Sequence, residues 1–303
     1  MGAGRQKTLK APIEFSGVGL HTGEHCRMIL RPSEPESGII FFRCDDVVGP
    51  DGADQASFSE FAAISAAPEN VVRACHGTTL ANGHRVSIAT VEHVMAALAI
   101  CSIDNVAIDV FGPEVPILDG SAAPFVDAIQ RIGAVSQRAP CHEIIIDGTI
   151  SIREGDRSIV LKPSDTFQLN ITIDFEDCLI GRQTLSVELD DPESLARMAK
   201  SRTFCRLHEV EALRAKNLIR GGSLENSIVV DGQKVLNGDA LRDSHEFVLH
   251  KALDLIGDFY LLGAPIRGSI LADKPGHDLN TRAALAISEA QSCEAPARMA
   301  ATA

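Results

Sequence analysis

The stretch His250-Lys251-Ala252-Leu253-Asp254-Leu255-Ile256-Gly257-Asp258 has a helical pattern, and the rest of the chain is read outward from it. Val248, Leu249, Ala252, Leu253, Leu255, Ile256 and Phe259 cover most of its circumference, so the helix is expected to be buried on nearly every side. Through that apolar wall runs a polar row. His250, Asp254 and Asp258 recur at i, i+4 and i+8 and lie on successive turns of one face. Buried, such groups cost several kcal/mol unless something pairs them. One reading is a His–Asp hydrogen bond inside a core, the commoner fate of an isolated H-x-x-x-D. The other is a metal site with His250 and Asp254 as ligands and Asp258 supporting them. Two ligands do not hold a catalytic metal, so this reading requires a third from elsewhere in the chain.

Composition narrows the setting. The 303 residues are enough for two domains with sizeable cores, and 45% hydrophobic with 23% charged residues is ordinary for a globular protein. A net charge of −13 without a long basic cluster disfavours nucleic-acid binding, though a local basic pocket for one phosphate stays open. No apolar run approaches the roughly 20 residues of a membrane span, so no stable membrane insertion is expected. Met-Gly-Ala-Gly-Arg-Gln-Lys has no signal-peptide core, which with the cysteine pattern points to the cytoplasm. The eight cysteines, at 26, 44, 75, 101, 141, 178, 205 and 293, include no C-x-x-C pair and suggest neither disulfides nor a zinc knuckle. Cys75-His76 is read as structural or incidental; a thiol hydrolase at Cys75 is a distant alternative.

The third ligand has a candidate in Thr90-Val91-Glu92-His93-Val94-Met95-Ala96-Ala97-Leu98-Ala99. Thr90 as N-cap would put Glu92 and His93 in the first turn of a second buried helix. The helix dipole favours Glu92 there but disfavours a cationic His93, so an imidazole binding a metal explains His93 better than capping does. Strands are expected at 9–20, Arg27–Leu30, Ile39–Arg43, Val71–Leu80, Arg85–Ile88 and Asn105–Phe111, with 45–67 irregular and a helix opened by Ser121 and Pro124. Past a boundary at 133–141 the order restarts. Strands at Glu143–Arg153, Ser158–Pro163 and Phe167–Asp174 precede a helix at Pro192–Lys200, an inserted strand-helix-strand unit, the His250 helix, a strand at Ile266–Leu271, a loop and a closing helix. Each half ends in a buried helix, a strand, a Pro-containing loop and a helix. The expectation is an α+β fold of two similar domains, 1–136 and 137–287, facing one another, with 288–303 a disordered tail.

Two imidazoles and one carboxylate leave one tetrahedral position open, as a hydrolytic zinc requires, and Glu92 beside a ligand can act as general base. The same ligand set also describes the facial triad of Fe(II) oxygenases, and the residues alone do not separate the two. Lys251 is either a phosphate partner or a solvated lysine. His277, in Lys274-Pro275-Gly276-His277-Asp278, is either an acid or a surface residue.

Several motifs in one order narrow this further: Gly17-Val18-Gly19-Leu20-His21-Thr22-Gly23, Thr90-Val91-Glu92-His93, Asp119-Gly120-Ser121-Ala122-Ala123-Pro124-Phe125, Ser201-Arg202-Thr203-Phe204, Gly221-Gly222-Ser223, His250-Lys251 to Asp254, and Gly276-His277. Over roughly residues 8–285 the chain resembles the UDP-3-O-acyl-N-acetylglucosamine deacetylase family, the zinc amidases of lipid A biosynthesis. The resemblance implies a duplicated fold with helices sandwiched between two sheets and a small insert in each half. It implies Zn2+ (Fe2+ being the alternative in vivo) held by His93, His250 and Asp254, with Glu92 activating water. Thr203 would hold the oxyanion, and His277, supported by Asp258, would protonate the leaving amine. Lys251 would meet the substrate diphosphate. Phe204, Leu207, Val210 and Gly222, in an insert at about 203–230, would line an acyl passage closed by Leu20. Arg206 and Gly77 depart from the family pattern near that passage. The partner implied is a nucleotide-sugar lipid substrate, with protease control through the C-terminal tail. A non-catalytic carrier of such lipids is the remaining alternative.

Overall fold

Apolar side chains alternate along the central strands, and this alternation builds two sheets of one design. In the computed structural model, residues 4–45, 61–188, 191–238 and 241–301 are described, with side chains to 292. The first half runs β1 (Arg5–Leu9), β2 (Ile13–Val18), β3 (His25–Pro32), β4 (Ile39–Arg43), β5 (Ala63–Ser65), β6 (Val71–Arg73), β7 (Thr79–Ala81), β8 (Ser87–Ile88), α1 (Glu92–Ile100), β9 (Val106–Phe111), α2 (Ala123–Ile132) and β10 (Ala134–Pro140). The second runs β11 (Ile144–Ile145), β12 (Ile150–Glu154), β13 (Arg157–Lys162), β14 (Gln168–Phe175), β15 (Gly181–Val187), α3 (Pro192–Lys200), β16 (Phe204–Arg206), α4 (Leu207–Ala215), β17 (Ile228–Asp231), β18 (Lys234–Val235), α5 (Glu246–Tyr260), β19 (Ile266–Arg267), β20 (Ser269–Asp273) and α6 (His277–Ala301).

The two five-stranded sheets have the orders β2-β3-β9-β4-β5 and β12-β13-β20-β14-β15, the second repeating the first strand for strand. In each, a single pair is parallel, β4 with β9 and β14 with β20. Met28 and Leu30 of β3, and Leu169, Ile171 and Ile173 of β14, turn to the inside, where the helices lie between the sheets and share one apolar core. Each half carries a three-stranded insert, β6-β7-β8 in the first and β16-β17-β18 in the second. The second insert therefore runs on to Val235, beyond the expected limit near residue 230.

Helix α5 is buried at every residue but Lys251, as its pattern requires. It crosses α1 at Gly257, where an added Cβ would lie 2.1 Å from the Glu92 carbonyl oxygen and 3.2 Å from the Ala96 nitrogen. Two helices approach this closely only where a side chain is missing.

Several expectations are corrected. Thr90 does not cap α1: its φ is +59° and its hydroxyl donates to Glu114, while Val91 occupies the cap position without a side-chain bond. The stretch 133–141 is largely strand, β10 pairing antiparallel with β1 and closing the first half on its own beginning. The run Glu143–Arg153 divides at Asp147-Gly148 into β11, paired with β19, and β12 in the main sheet. Of the segment 45–67, residues 46–60 lie outside the described residues, and its last part supplies β5. Helix α6 continues past Ser288, whose hydroxyl donates to Glu69 while the Gln291 amide donates to the Ile145 carbonyl.

Replacing Gly257 by alanine should force α1 and α5 apart and lower stability by about 1–3 kcal/mol, read as a fall in thermal midpoint. An unchanged midpoint would mean that the crossing is not sterically set.

Candidate active site

The crossing brings His93, on the first turn of α1, against His250 and Asp254 of α5. One ligand atom from each lies within 4.8 Å of the others, and all three residues are buried. His250 Nδ1 donates to the Ser201 carbonyl at 3.1 Å, which fixes the tautomer and leaves the Nε2 lone pair facing Asp254 Oδ1 at 3.4 Å. His93 Nε2 lies 3.7 Å from that same oxygen. Asp254 Oδ2 takes a hydrogen bond from Lys251 Nζ at 2.8 Å, but Oδ1 is buried without a partner. Ligands about 2.0–2.1 Å from a tetrahedral ion stand about 3.3 Å apart, close to the spacing here. A carboxylate oxygen orphaned between two imidazoles is costly in an apolar core, and a divalent cation removes the cost. Burial drives the pKa of His250 down to about 3, so its imidazole is unprotonated and could bind a cation. Burial opposes the Asp254 charge, yet its cationic neighbours outweigh this and hold it well below the ordinary carboxylate range.

One turn further along, Asp258 is fully buried and accepts from His277 Nδ1 at 2.8 Å, from Asn280 Nδ2 at 2.8 Å and from the Thr78 hydroxyl at 2.5 Å. His277 is not a loop residue; it opens α6 and is buried, its Nε2 lying 3.9 Å from Glu92 Oε1 and 3.8 Å from Asp254 Oδ2. Burial lowers the pKa of His277, but Asp258, aided by Glu92 and Asp254, raises it to about 10. Burial raises that of Glu92 despite the nearby imidazoles. The site thus sets a carboxylate of increased basicity beside a histidine held protonated.

These groups open into one cavity of about 710 Å³. Its polar end holds Glu92, His93, His250, Asp254, Thr203 and His277. The other end is apolar, with Phe204, Leu207, Val210 and Gly222 of the second insert and Leu20 of the first half among its walls. Lys251 borders it near the ring of Phe204, and Asp258 supports it from behind. The residues given a catalytic, metal or substrate role in the sequence analysis therefore line one cavity, apart from Asp258. Cys75 and His76, read as incidental, line it as well. Arg206 turns away to Asp177 and Glu209. Gly77 lies behind Glu92, where an added Cβ would approach Oε1 to 3.1 Å, so it borders the polar end rather than the apolar one.

Loops of the first half clasp the second insert backbone to backbone. Gly221 sits where a Cβ would be 2.2 Å from the Gly19 carbonyl oxygen, and at Gly120 (φ +81°) it would be 1.9 Å from that of Asn226. Gly120 also accepts from the Thr203 amide at 2.8 Å. The loop bearing Leu20 is held by Glu114, fully buried, which accepts from the main chain of His21 and Thr22 and the hydroxyls of Thr22 and Thr90. Sequence reading missed Glu114, Thr78 and Asn280, and it quoted Ser201 in a motif without a role for it. Each acts by a single long-range hydrogen bond or a small set of them, which no local pattern announces.

Two imidazoles, one carboxylate and an adjoining acid–base pair define a metal-dependent hydrolase. Residues 6–289 match the family LpxC, UDP-3-O-acyl N-acetylglycosamine deacetylase. Proteins named UDP-3-O-acyl-N-acetylglucosamine deacetylase are similar along nearly their whole length: that of Phenylobacterium zucineum is 43% identical over 91% of this chain and 90% of its own. The Methylococcus capsulatus protein is 44% identical (91% and 87%) and the Myxococcus xanthus protein 41% (95% and 88%). The chain belongs to this family of metal-dependent deacetylases, enzymes of lipid A biosynthesis.

Asparagine at Asp258 removes the anion that stabilises the His277 imidazolium. The imidazole should then lose its proton at lower pH, its midpoint falling from about 10 by more than ~1 unit in an NMR titration. An unmoved midpoint would assign the raised pKa to Glu92 and Asp254 instead.

Proposed function

We propose that this enzyme hydrolyses the N-acetyl group of UDP-3-O-[(3R)-3-hydroxyacyl]-N-acetylglucosamine, giving acetate and the free amine, the committed step of lipid A biosynthesis. The observation that carries this reading is the continuity of the cavity. A buried His-His-Asp cluster with an acid–base pair opens into an apolar passage, which suits an acylated amide. The metal is zinc, held by His93, His250 and Asp254. When bound, it supplies Lewis-acid polarisation of the amide carbonyl and makes water more acidic.

Glu92 takes a proton from the water whose oxygen attacks the amide carbon. Its raised pKa brings its basicity nearer neutral pH, where such transfer is efficient. Thr203, on the loop clasped by Gly120, faces the oxygen on which charge develops. As the C–N bond breaks, His277 gives its Nε2 proton to the departing nitrogen, so the amine leaves neutral and the water oxygen remains in acetate. Asp258 orients His277 through Nδ1. Phe204, Leu207, Val210, Gly222 and Leu20 receive the 3-O-acyl chain. Lys251, fixed to Asp254 yet bordering the cavity, offers positive charge to the anionic part of the substrate. Among the described residues no helix is long and apolar enough to cross a membrane. Two proton-transfer groups flanking one ligand cluster favour hydrolysis over an Fe(II) oxygenase, which has no use for both.

Glu92→Gln should bind zinc one to one like the wild type and release acetate about 10²–10⁴-fold more slowly. His250→Ala should lose the metal. Retained activity in Glu92→Gln would remove Glu92 as the base. A metal-loaded wild type that releases no acetate but consumes oxygen would replace the reaction by the oxygenase one.

A further inference from the structure

Thr78 is fully buried, and its three polar groups all reach toward the reaction centre. Its amide donates to Glu92 Oε2 at 2.9 Å, and its carbonyl accepts from Val91 at the start of α1 at 3.2 Å. Its hydroxyl spans the two halves to Asp258 Oδ1 at 2.5 Å and stands 3.3 Å from His277 Nδ1. A hydroxyl has one proton to give. Nδ1 donates its own to Asp258 Oδ2, so the Thr78 proton goes to Oδ1. Oδ2 has a second donor in Asn280, whereas among the described residues the partner of Oδ1 is Thr78.

We infer that Thr78 is a positioning residue for the reaction, holding Glu92 by its main chain and the Asp258–His277 pair by its hydroxyl, so that base and acid keep a fixed relation. This rests on the deacetylase reading above. Without the hydroxyl, a fully buried carboxylate oxygen is left unpaired and Asp258 is free to turn about its remaining donors. The His277 ring turns with it, and its Nε2 leaves the line toward Glu92 Oε1. Thr78 does not border the cavity wall, so it leaves substrate affinity alone.

Thr78→Val keeps the volume and the main-chain bond to Glu92 and removes the hydroxyl alone. Acetate release should show kcat lower by roughly ten- to a hundredfold, with KM within about twofold and metal content unchanged. Thr78→Ser should recover most of the loss. In an Asp258→Asn background the same valine substitution should cost less than about twofold, because the hydroxyl acts through that carboxylate. A role in packing alone would give losses that multiply and no rescue by serine. Should the valine variant not fold, Thr78→Cys, with a weak donor of similar size, carries the same comparison. Wild-type kcat in the valine variant, or multiplying losses, would overturn the inference and leave the reaction standing. A metal-loaded wild type that releases no acetate would overturn the reaction, and the inference with it.

Discussion

The close crossing of α1 and α5 governs everything else in this molecule. Gly257 lies between Asp254 and Asp258 on α5, and the backbone it admits is that of Glu92. The two helices touch, therefore, at the residues that carry chemistry. Were the helices held apart by ordinary side chains, at 8–10 Å between axes, imidazole and carboxylate atoms from the two halves would have further to reach. The 3.7 Å from His93 Nε2 to Asp254 Oδ1 follows from a missing side chain, whereas the 3.4 Å from His250 Nε2 to the same oxygen is set within α5.

That proximity gathers Glu92, Asp254 and Asp258 where water cannot solvate them, and the surroundings divide the burden. Asp254 leans on Lys251, Asp258 on His277, Thr78 and Asn280, and Glu92 on the Thr78 amide. Among the buried atoms left unpaired here are His93 Nδ1, Asn280 Oδ1 and Asp254 Oδ1, the last at the point where His93 and His250 converge. A carboxylate oxygen left open between two imidazoles suits a cation. The histidine at the start of α6 is set against the helix dipole, and Asp258 makes that position tolerable.

The sequence carried much of this plan. The row His250–Asp254–Asp258 and the first turn of α1 could be read because buried helices exclude polar residues unless they are used. β4 and α3 occupy the spans their patterns indicate, and the two halves were visible as one order of elements met twice. β15 could not be seen: its outward residues Arg182, Thr184 and Ser186 are polar and its inward ones include Gln183, so an edge strand there lacks clean alternation. Thr90 has the chemistry of a cap, but a long-range bond to Glu114 wins its hydroxyl. Thr78 looks like any strand threonine until residue 258 is folded against it. Local pattern records burial well and records partners distant in sequence poorly.

Duplication explains the frame but not the asymmetry of the site. α1 contributes its first turn, whereas α5 contributes its middle and α6 its first residue. The inserts diverge further. The first sets Thr78 and Gly77 against Glu92 from behind the cavity wall, while the second supplies most of the apolar wall. The clasp at Gly19, Gly120 and Gly221 then matters, because it fixes an apolar wall from one half against a ligand cluster drawn from both. Neither half contains a complete binding cavity, so docking of the halves assembles the site, and changes at their contact should reach the chemistry without altering any ligand.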